Sequence, residues 1–168
     1  MKMKDTEIKE SQDIKTEAVC DIPRSENEVY RIARKEYKDR HFVDLRIFFK
    51  SKDDGDRLIP SHKGIWIEEA YRQELIAGLV KARNASPVTK PEGEGFNSVA
   101  VCDIPVSENE ILRISKGSGS KNAFVDVRRF FEKDGKFVPY KRKGVSITES
   151  SLDDVITGLM GMEPGRSS

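Results

Sequence analysis

The sequence is poor in the residues that build metal centres and disulfide frameworks. It has only two cysteines, Cys20 and Cys102, and two histidines, His41 and His62. No Cys-X-X-Cys spacing occurs, so we expect no metal site and no cofactor. The cysteines are predicted to be small buried strand residues of a reduced intracellular protein (cytoplasm, nucleoid or nucleus), and a disulfide between them is the alternative. Because Gly-rich phosphate loops and nucleophile-plus-base spacings are also missing, we expect no enzymatic activity.

Long apolar runs and a large net charge are missing as well. No stretch approaches the roughly 18 apolar residues that cross a bilayer, so we expect no membrane partner. The formal net charge is only +1, although 35% of the residues are charged. Cations crowd residues 31–40 and the triplet Lys141-Arg142-Lys143, whereas acidic residues concentrate elsewhere. Such segregated charge can steer a polyanion to one face of a protein.

A repeat dominates what the sequence does contain. Ala18–Pro23 and Ala100–Pro105 both read Ala-Val-Cys-Asp-Ile-Pro, and at this offset of 82 residues 18 of the 32 positions from Ala18 to Phe49 are identical. The chain therefore contains two copies of one module. A module this short buries little of its surface alone, so we expect two to pack together, within one chain or between two chains. The predicted division is a disordered tail (1–17), a first module (18–83), a linker (84–98), a second module (99–162) and a tail (163–168).

Each module is predicted to have four strands and one helix, which is an α+β fold. In the first module the strands are Val29–Lys35, Phe42–Lys50, Arg57–Pro60 and Gly64–Ile67, followed by a helix over Glu68–Ala82. In the second they are Ile111–Lys116, Ala123–Glu132, Phe137–Tyr140 and Gly144–Thr148, followed by a helix from Ser150 to about Met160. In the long first-module strand, alternation places Val43, Leu45, Ile47 and Phe49 on the core face, and Phe42, Asp44, Arg46, Phe48 and Lys50 on the other.

Three motifs of the first module, in this order, resemble a known family. They are the basic hairpin Arg34–Arg40, the strand motif Val43-Asp44-Leu45-Arg46 ending in two aromatics, and Lys63-Gly64 before a short strand and the helix. The second module matches at Val125–Phe131 and at Lys143-Gly144. Together they resemble the single-stranded-DNA-binding domain of the Positive Cofactor Four transcriptional coactivator family, present here as two tandem copies.

The resemblance implies a fold and a set of roles. The implied fold is a curved antiparallel four-stranded sheet followed by one helix in each module, with the two modules paired as a pseudo-dimer. The implied stacking aromatics are Phe49, Phe131 and Tyr37. The cationic positions of the family are matched by Lys35, Lys38, Arg40, Arg46, Lys63, Arg128, Arg142 and Lys143. We add Lys141 because it completes the basic triplet.

The second hairpin departs from the family pattern. Gly119 stands in place of the aromatic, and Gly117, Ser120 and Asn122 stand in place of cations. The repeated Val-Cys-Asp-Ile-Pro segment is not recognised as part of that domain. Phe49 and Arg46 also fall on opposite faces, so both can meet one strand of DNA only if the protein strand bends or bulges.

Several residues have plainer interpretations. The aromatics could be core residues, Arg46 and Arg128 could be ion-pair partners of Asp44 and Asp126, and Trp66 is expected to pack against the helix. The leading hypothesis is a non-catalytic protein that binds single-stranded DNA or melted duplex as a transcriptional coactivator or regulator, with the transcription machinery as a further partner and RNA as a variant target. The alternative is a protein-interaction or assembly module that kept the fold and lost nucleic-acid binding.

Overall fold

The computed structural model describes residues 13–162, which form eight strands and two α-helices. The first module contains β1 (Lys15–Ser25), β2 (Glu28–Tyr37), β3 (Arg40–Ser51), β4 (Arg57–Glu68) and α1 (Arg72–Asn84). The second contains β5 (Phe96–Pro105), β6 (Glu110–Gly119), β7 (Ala123–Lys133), β8 (Lys136–Thr148) and α2 (Glu149–Met160). Short 3₁₀ turns lie at Lys52–Asp54 and Glu69–Tyr71.

Each module is a four-stranded antiparallel sheet with its strands in sequence order, β1-β2-β3-β4 and β5-β6-β7-β8, followed by one helix. The predicted fold class is confirmed. Each module has four strands, as predicted, but they are not the four that were predicted. The Val-Cys-Asp-Ile-Pro segment, which was not assigned to a strand, forms the edge strands β1 and β5. Proline is tolerated there, since an edge strand leaves part of its backbone unpaired.

In each module, two short strands that were predicted separately form one long strand. Arg57–Pro60 and Gly64–Ile67 both lie in β4, and the corresponding two lie in β8. Between the pairs Arg46↔Gly64 and Phe48↔Pro60, β4 has three residues where β3 has one. β8 has four residues, Tyr140–Lys143, at the same place. These wide bulges, the β4 bulge (Ser61–Lys63) and the β8 bulge (Tyr140–Lys143), push cationic side chains out of each sheet.

The predicted module boundaries also shift. Residues 15–17 belong to β1 rather than to the predicted tail, and residues 96–98 belong to β5 rather than to the predicted linker. The rest of the predicted N-terminal tail up to residue 12, and the predicted tail 163–168, lie outside the described residues. No helix within residues 13–162 is long and apolar enough to cross a membrane.

Alternation along β3 fixes the core face of the first sheet. Val43, Leu45 and Ile47 are each at most 2% exposed, as predicted. They join the buried residues of both modules in one hydrophobic cluster rather than in two separate cores. Each sheet is thus stabilised by apolar burial that the two repeats share.

The helices are exchanged between the repeats. Helix α1 lies against β5, β6 and β7 of the second module, and α2 lies against β1 and β2 of the first as well as against its own β7 and β8. Gly158 of α2 is so close to the first sheet that an added Cβ would lie 2.8 Å from Cys20 Sγ and from Ile32 Cδ1. Arg72 of α1 donates a hydrogen bond of 2.7 Å to the carbonyl of Leu159 on α2. In this structure the two repeats therefore pack on each other through their exchanged helices.

The strands β4 and β8 also lie beside each other, and side chains of the opposite repeat cap their backbones. The Tyr30 hydroxyl donates to the Ser146 carbonyl at 2.9 Å and accepts from the Thr148 amide at 3.0 Å. At the related position Arg129 donates to the Trp66 carbonyl at 3.0 Å. The two related contacts use different side chains, so the pairing is not an exact two-fold.

Candidate nucleic-acid interface

The tip of the β2–β3 hairpin carries the first group of predicted site residues. Tyr37 pairs with Arg40 across a two-residue turn of Lys38 and Asp39, whose φ angles are 50° and 64°. Such left-handed angles suit a type I′ hairpin turn, which normally takes Asn or Gly. Lys38 Nζ lies 5.2 Å from the centroid of the Tyr37 ring. Tip residues that accept unfavourable backbone angles while presenting a cation over an aromatic fit a surface that contacts a ligand.

Arg40 and Lys35 lie next to the hairpin tip, and the side chains of both contact neighbouring residues. Arg40 is mostly exposed, forms an ion pair with Glu68 and lies over the Phe42 ring at 5.3 Å. Lys35 is only 8% exposed and its Nζ lies 4.8 Å from the Trp66 ring centroid. Of these two predicted contacts, only Arg40 is on the surface.

Trp66 was expected to pack against the helix, and that expectation is wrong. Its neighbours Ile65 and Ile67 are buried in the core, so alternation turns Trp66 to the opposite face of the sheet. There its ring meets the Phe42 ring edge-on at 5.3 Å. The result is an aromatic platform beside the hairpin, formed by Phe42 and Trp66 and topped by the Lys35 ammonium.

Arg46 and Arg128 both form ion pairs within their own strands. Arg46 binds both carboxylate oxygens of Asp44, at 2.9 and 3.2 Å, and donates to the Ser61 carbonyl at 3.1 Å. Arg128 binds Asp126 in the same way at 3.2 Å. The sequence left two interpretations open for these arginines, contact with DNA and an ion pair within the protein, and the structure shows the ion pair.

The glycine of each Lys-Gly motif makes room for the arginine opposite. A Cβ on Gly64 would lie 2.7 Å from Arg46 Cζ, and one on Gly144 would collide with the Arg128 guanidinium in the same manner. The motif therefore has a structural reason in both modules: the guanidinium lies flat across the backbone of β4 or β8.

Sequence reasoning missed a second arginine–aspartate pair on the same face. Arg31 binds Asp21 at 2.8 and 3.0 Å and lies 4.5 Å from the centroid of Phe48. The second module repeats this group with Arg113, Asp103 and Phe130 at nearly the same distances. The available signal was that all three residues are identical in the two repeats.

The bulges hold the second group of predicted site residues. Lys63 is exposed on the β4 bulge, and Lys141 and Arg142 are exposed on the β8 bulge. Lys143 is half-buried, with its Nζ 4.3 Å from the Tyr140 ring centroid. The basic triplet therefore projects from a strand irregularity rather than from a turn between two strands.

Tyr140 is an aromatic of this region that the sequence analysis did not select. Its ring lies 4.7 Å from the Phe131 ring, and its hydroxyl is hydrogen-bonded to Glu110. Burial, and then the bond to the Glu110 carboxylate, raise the pKa of Tyr140 to about 12. Glu110 in turn pairs with Arg129 at 3.0 Å, so the bulge aromatic is held in a fixed position.

Phe49 and Phe131 do not share a face with Arg46 and Arg128. β3 pairs with β2 without a bulge, so Phe49 stays on the Ile47 side of the strand. Near the end of β3 the strand extends beyond the core, so the Phe49 side chain is 38% exposed although it lies on the core side of the strand. The irregularity that the sequence required lies in the neighbouring strand, β4, and does not turn Phe49 over. Phe131 is partly covered by Tyr140.

The second hairpin has no aromatic at its tip, and Lys121 is its one tip cation, while Gly117, Ser120 and Asn122 stand where the first hairpin has cations. Gly117 lies directly under the Phe124 ring, where a Cβ would lie 2.6 Å from Phe124 Cε1. The neighbouring cation, Lys116, is buried and donates to the carbonyls of Arg83 and Ala85 at the end of α1. It serves packing between the repeats, since cations stabilise helix C-termini.

The two cysteines do not form a disulfide. Cys20 and Cys102 are free thiols, and both are half-buried rather than buried. Burial is the main factor that raises the pKa of each thiol, so neither has the thiolate character of a reactive cysteine. Within residues 13–162 no three metal-ligating side chains are grouped as a metal site.

Residues 25–77 match the family model of Transcriptional Coactivator p15 (PC4). The first module is thus similar to that family over these residues. The match begins at the end of β1 and ends within α1, so it covers the hairpin, the Asp44–Arg46 pair and the β4 bulge. The comparison with curated proteins found no match.

Proposed function

We propose that this chain is a non-catalytic, intracellular single-stranded-DNA-binding protein that acts in transcription as a coactivator or regulator. The family match of residues 25–77 carries the proposal, since the PC4 family is one of DNA-binding transcriptional coactivators. The second module has the same strand order and the same Asp126–Arg128 and Asp103–Arg113 groups, and we take it to be a second copy of the domain. Single-stranded DNA or melted duplex is the proposed partner, together with the transcription machinery.

The proposed mode of binding is sequence-independent. Exposed cations next to aromatic rings are what a single strand needs, because cations track its phosphates and rings stack on its bases at about 1–3 kcal/mol per base. Lys38 beside Tyr37, and Lys141 and Arg142 beside Tyr140, supply this combination at the hairpin tip and at the β8 bulge. Phe49 is exposed enough to stack at the rim.

The arginines of the sheet face have a different role in this proposal. Each of the four, Arg31, Arg46, Arg113 and Arg128, is bound to an aspartate. A neutral pair attracts a phosphate far less than a lone cation does. We assign these arginines to shaping the face. We assign phosphate contact to Lys38, to the exposed cations of the β8 bulge, and to Arg40, whose ion pair with Glu68 leaves its side chain 61% exposed.

The test is fluorescence anisotropy of a labelled single strand across a salt series, with duplex of the same sequence as competitor. The slope of log K against log salt should be about −0.7 for each phosphate neutralised. The double variant Lys38→Ala/Arg40→Ala should weaken binding and flatten that slope. Lys81→Ala, an exposed lysine of α1, is the control and should change neither. Binding that duplex removes as readily as single strand would contradict the proposal.

The same neutral sheet face favours a second candidate function. Because its guanidinium groups are already satisfied by Asp21, Asp44, Asp103 and Asp126, the face suits a protein partner as well as a nucleic acid. The candidate is a protein-interaction or assembly module that kept the fold. Failure to bind any single strand, DNA or RNA, at low salt would support it over nucleic-acid binding.

A further inference from the structure

The cations and aromatics of the two modules are unevenly placed along each sheet. The first module concentrates them at its hairpin end, with Tyr37, Lys38 and the Phe42–Trp66 platform, while its bulge offers one lysine. In the second module the cations concentrate at the bulge, which has Tyr140 and three successive cations. Its hairpin end has Gly117 and Gly119 in place of Lys35 and Tyr37, one tip lysine, Lys121, and the Phe96–Phe124 ring pair.

Contacts between the modules bring the two rich ends together. Arg129 donates to the Trp66 carbonyl at the hairpin end of the first module. The same guanidinium pairs with Glu110, which holds the Tyr140 hydroxyl in the β8 bulge. One continuous chain of contacts therefore links the aromatic platform to Tyr140.

A second chain of contacts joins the two poor ends. The Ser61 hydroxyl of the β4 bulge donates to the Ile47 carbonyl at 2.7 Å, and Ile47 pairs in register with Tyr30. Tyr30 then bonds to Ser146 and Thr148 of β8. Thr148 pairs with Phe124, which covers Gly117 of the poor hairpin. The bulge of the first module is thus linked to the hairpin of the second through these contacts.

We propose that this protein has one composite single-strand site, built from the first hairpin and the second bulge, instead of two equivalent half-sites. The inference rests on the proposed function and adds where on the pseudo-dimer the strand binds. A nucleic-acid strand that runs from Lys38 to Lys141 contacts different protein groups at its 5′ and 3′ ends. The site should therefore bind the strand in one orientation. The opposite pair of ends, Lys63 with Lys121, is the weak side.

The chain offers a matched pair of variants for a test. Lys38→Ala/Lys141→Ala removes one hairpin lysine and one bulge lysine from the composite site. Lys63→Ala/Lys121→Ala removes one bulge lysine and one hairpin lysine from the weak side, with the same change in net charge. All four lysines belong to hairpin tips or bulges, and none is in the buried core.

The measurement is anisotropy with an oligothymidylate of about 12 nucleotides at low salt. The composite-site variant should lose tenfold or more in affinity, and its salt slope should become shallower by about 1.4, twice 0.7 for two phosphates. The weak-side variant should lose less than threefold. Trp66, the single tryptophan, lies in the composite site, so its fluorescence should change on binding in the wild type and in the weak-side variant.

The outcomes separate the inference from the function on which it rests. Equal losses in the two variants, or a larger loss in the weak-side variant, would overturn the composite site and leave single-strand binding standing. Binding of two oligonucleotides per chain with equal affinity would also overturn it. No binding by the wild-type chain would remove the proposed function itself. Circular dichroism of both variants checks that a loss of affinity is not a loss of fold.

Discussion

Removing one arginine from each module should reveal how differently the two aspartates are buried. Arg46 and Arg128 are equivalent and make the same bidentate pair, yet the Asp44 side chain is 3% exposed and the Asp126 side chain is 21% exposed. Asp126 also accepts a hydrogen bond from the Ser146 hydroxyl at 3.1 Å, whereas the residue at that place in the first module is Trp66. When the arginine is removed, the remaining aspartate is therefore better solvated and hydrogen-bonded in the second module than in the first.

The magnitudes follow from that difference. Breaking a buried pair by removing one partner costs about 3–5 kcal/mol, whereas a pair near the surface contributes about 0–1 kcal/mol. We expect Arg46→Met to lower the free energy of unfolding by about 3 kcal/mol and Arg128→Met by about 1 kcal/mol. Methionine keeps most of the side-chain volume that lies over Gly64 or Gly144, so packing is similar in both variants.

Urea denaturation followed by circular dichroism gives both values, since the single shared core should unfold in one transition. The double variant Asp44→Asn/Arg46→Met serves as the control. It removes the unpaired charge and should recover part of the loss. Equal costs for the two arginines, or no recovery by Asp44→Asn, would refute the reasoning that the buried carboxylate sets the cost.

Three further perturbations test other parts of the structure. Gly158→Ala in α2 should lower the thermal midpoint despite the higher helix propensity of alanine, because its Cβ would lie 2.8 Å from both Cys20 Sγ and Ile32 Cδ1. Cys20→Ala in the same chain should recover part of the loss, and a rise with Gly158→Ala alone would contradict the exchanged helix. Asp39→Gly should stabilise the protein by about 0.5–1 kcal/mol by relieving a left-handed angle. Its single-strand affinity, measured by anisotropy, should not fall, because the change removes an acidic group from the cationic tip. In an ultraviolet titration of tyrosinate, Tyr140 should ionise near pH 12, and Tyr140→Phe should remove that step. The folded pKa lies above the usual 10, so the stability from the Glu110 bond is complete below pH 10 and is lost as the pH rises toward 12. The bond would be contradicted if the step that Tyr140→Phe removes lies near pH 10.

The parts of the fold that follow a local period could be predicted from the sequence. Val43, Leu45 and Ile47 alternate with Asp44 and Arg46, which fixed the core face and also placed the aspartate and arginine within reach of each other. The same rule applied to Ile65 and Ile67 would have turned Trp66 away from the helix.

Other parts carry no local signal. The apolar stripe of α1 predicts that one face of the helix packs against a sheet, but it does not indicate which sheet. The exchange of helices therefore could not be predicted from the sequence. β1 has charged residues at its start and a proline near its end, which hid a strand whose edge position tolerates both. The joining of the hairpin end of one module to the bulge end of the other depends on Arg129 and Tyr30. These are two of the positions where the repeats differ.

The exchanged helices have a consequence for synthesis of the protein on the ribosome. The sheet of the first module is made early, but the helix that lies against β1 and β2 is formed by Glu149–Met160, near the end of the sequence. Until that segment emerges, Ile22 and Ile32 lack their covering layer, and translation cannot release a finished first module ahead of the second. A messenger truncated before α2 would yield a chain with an uncovered apolar sheet, a natural target for chaperones and proteases. The first sheet thus obtains its covering layer only when α2 of the second repeat has been made.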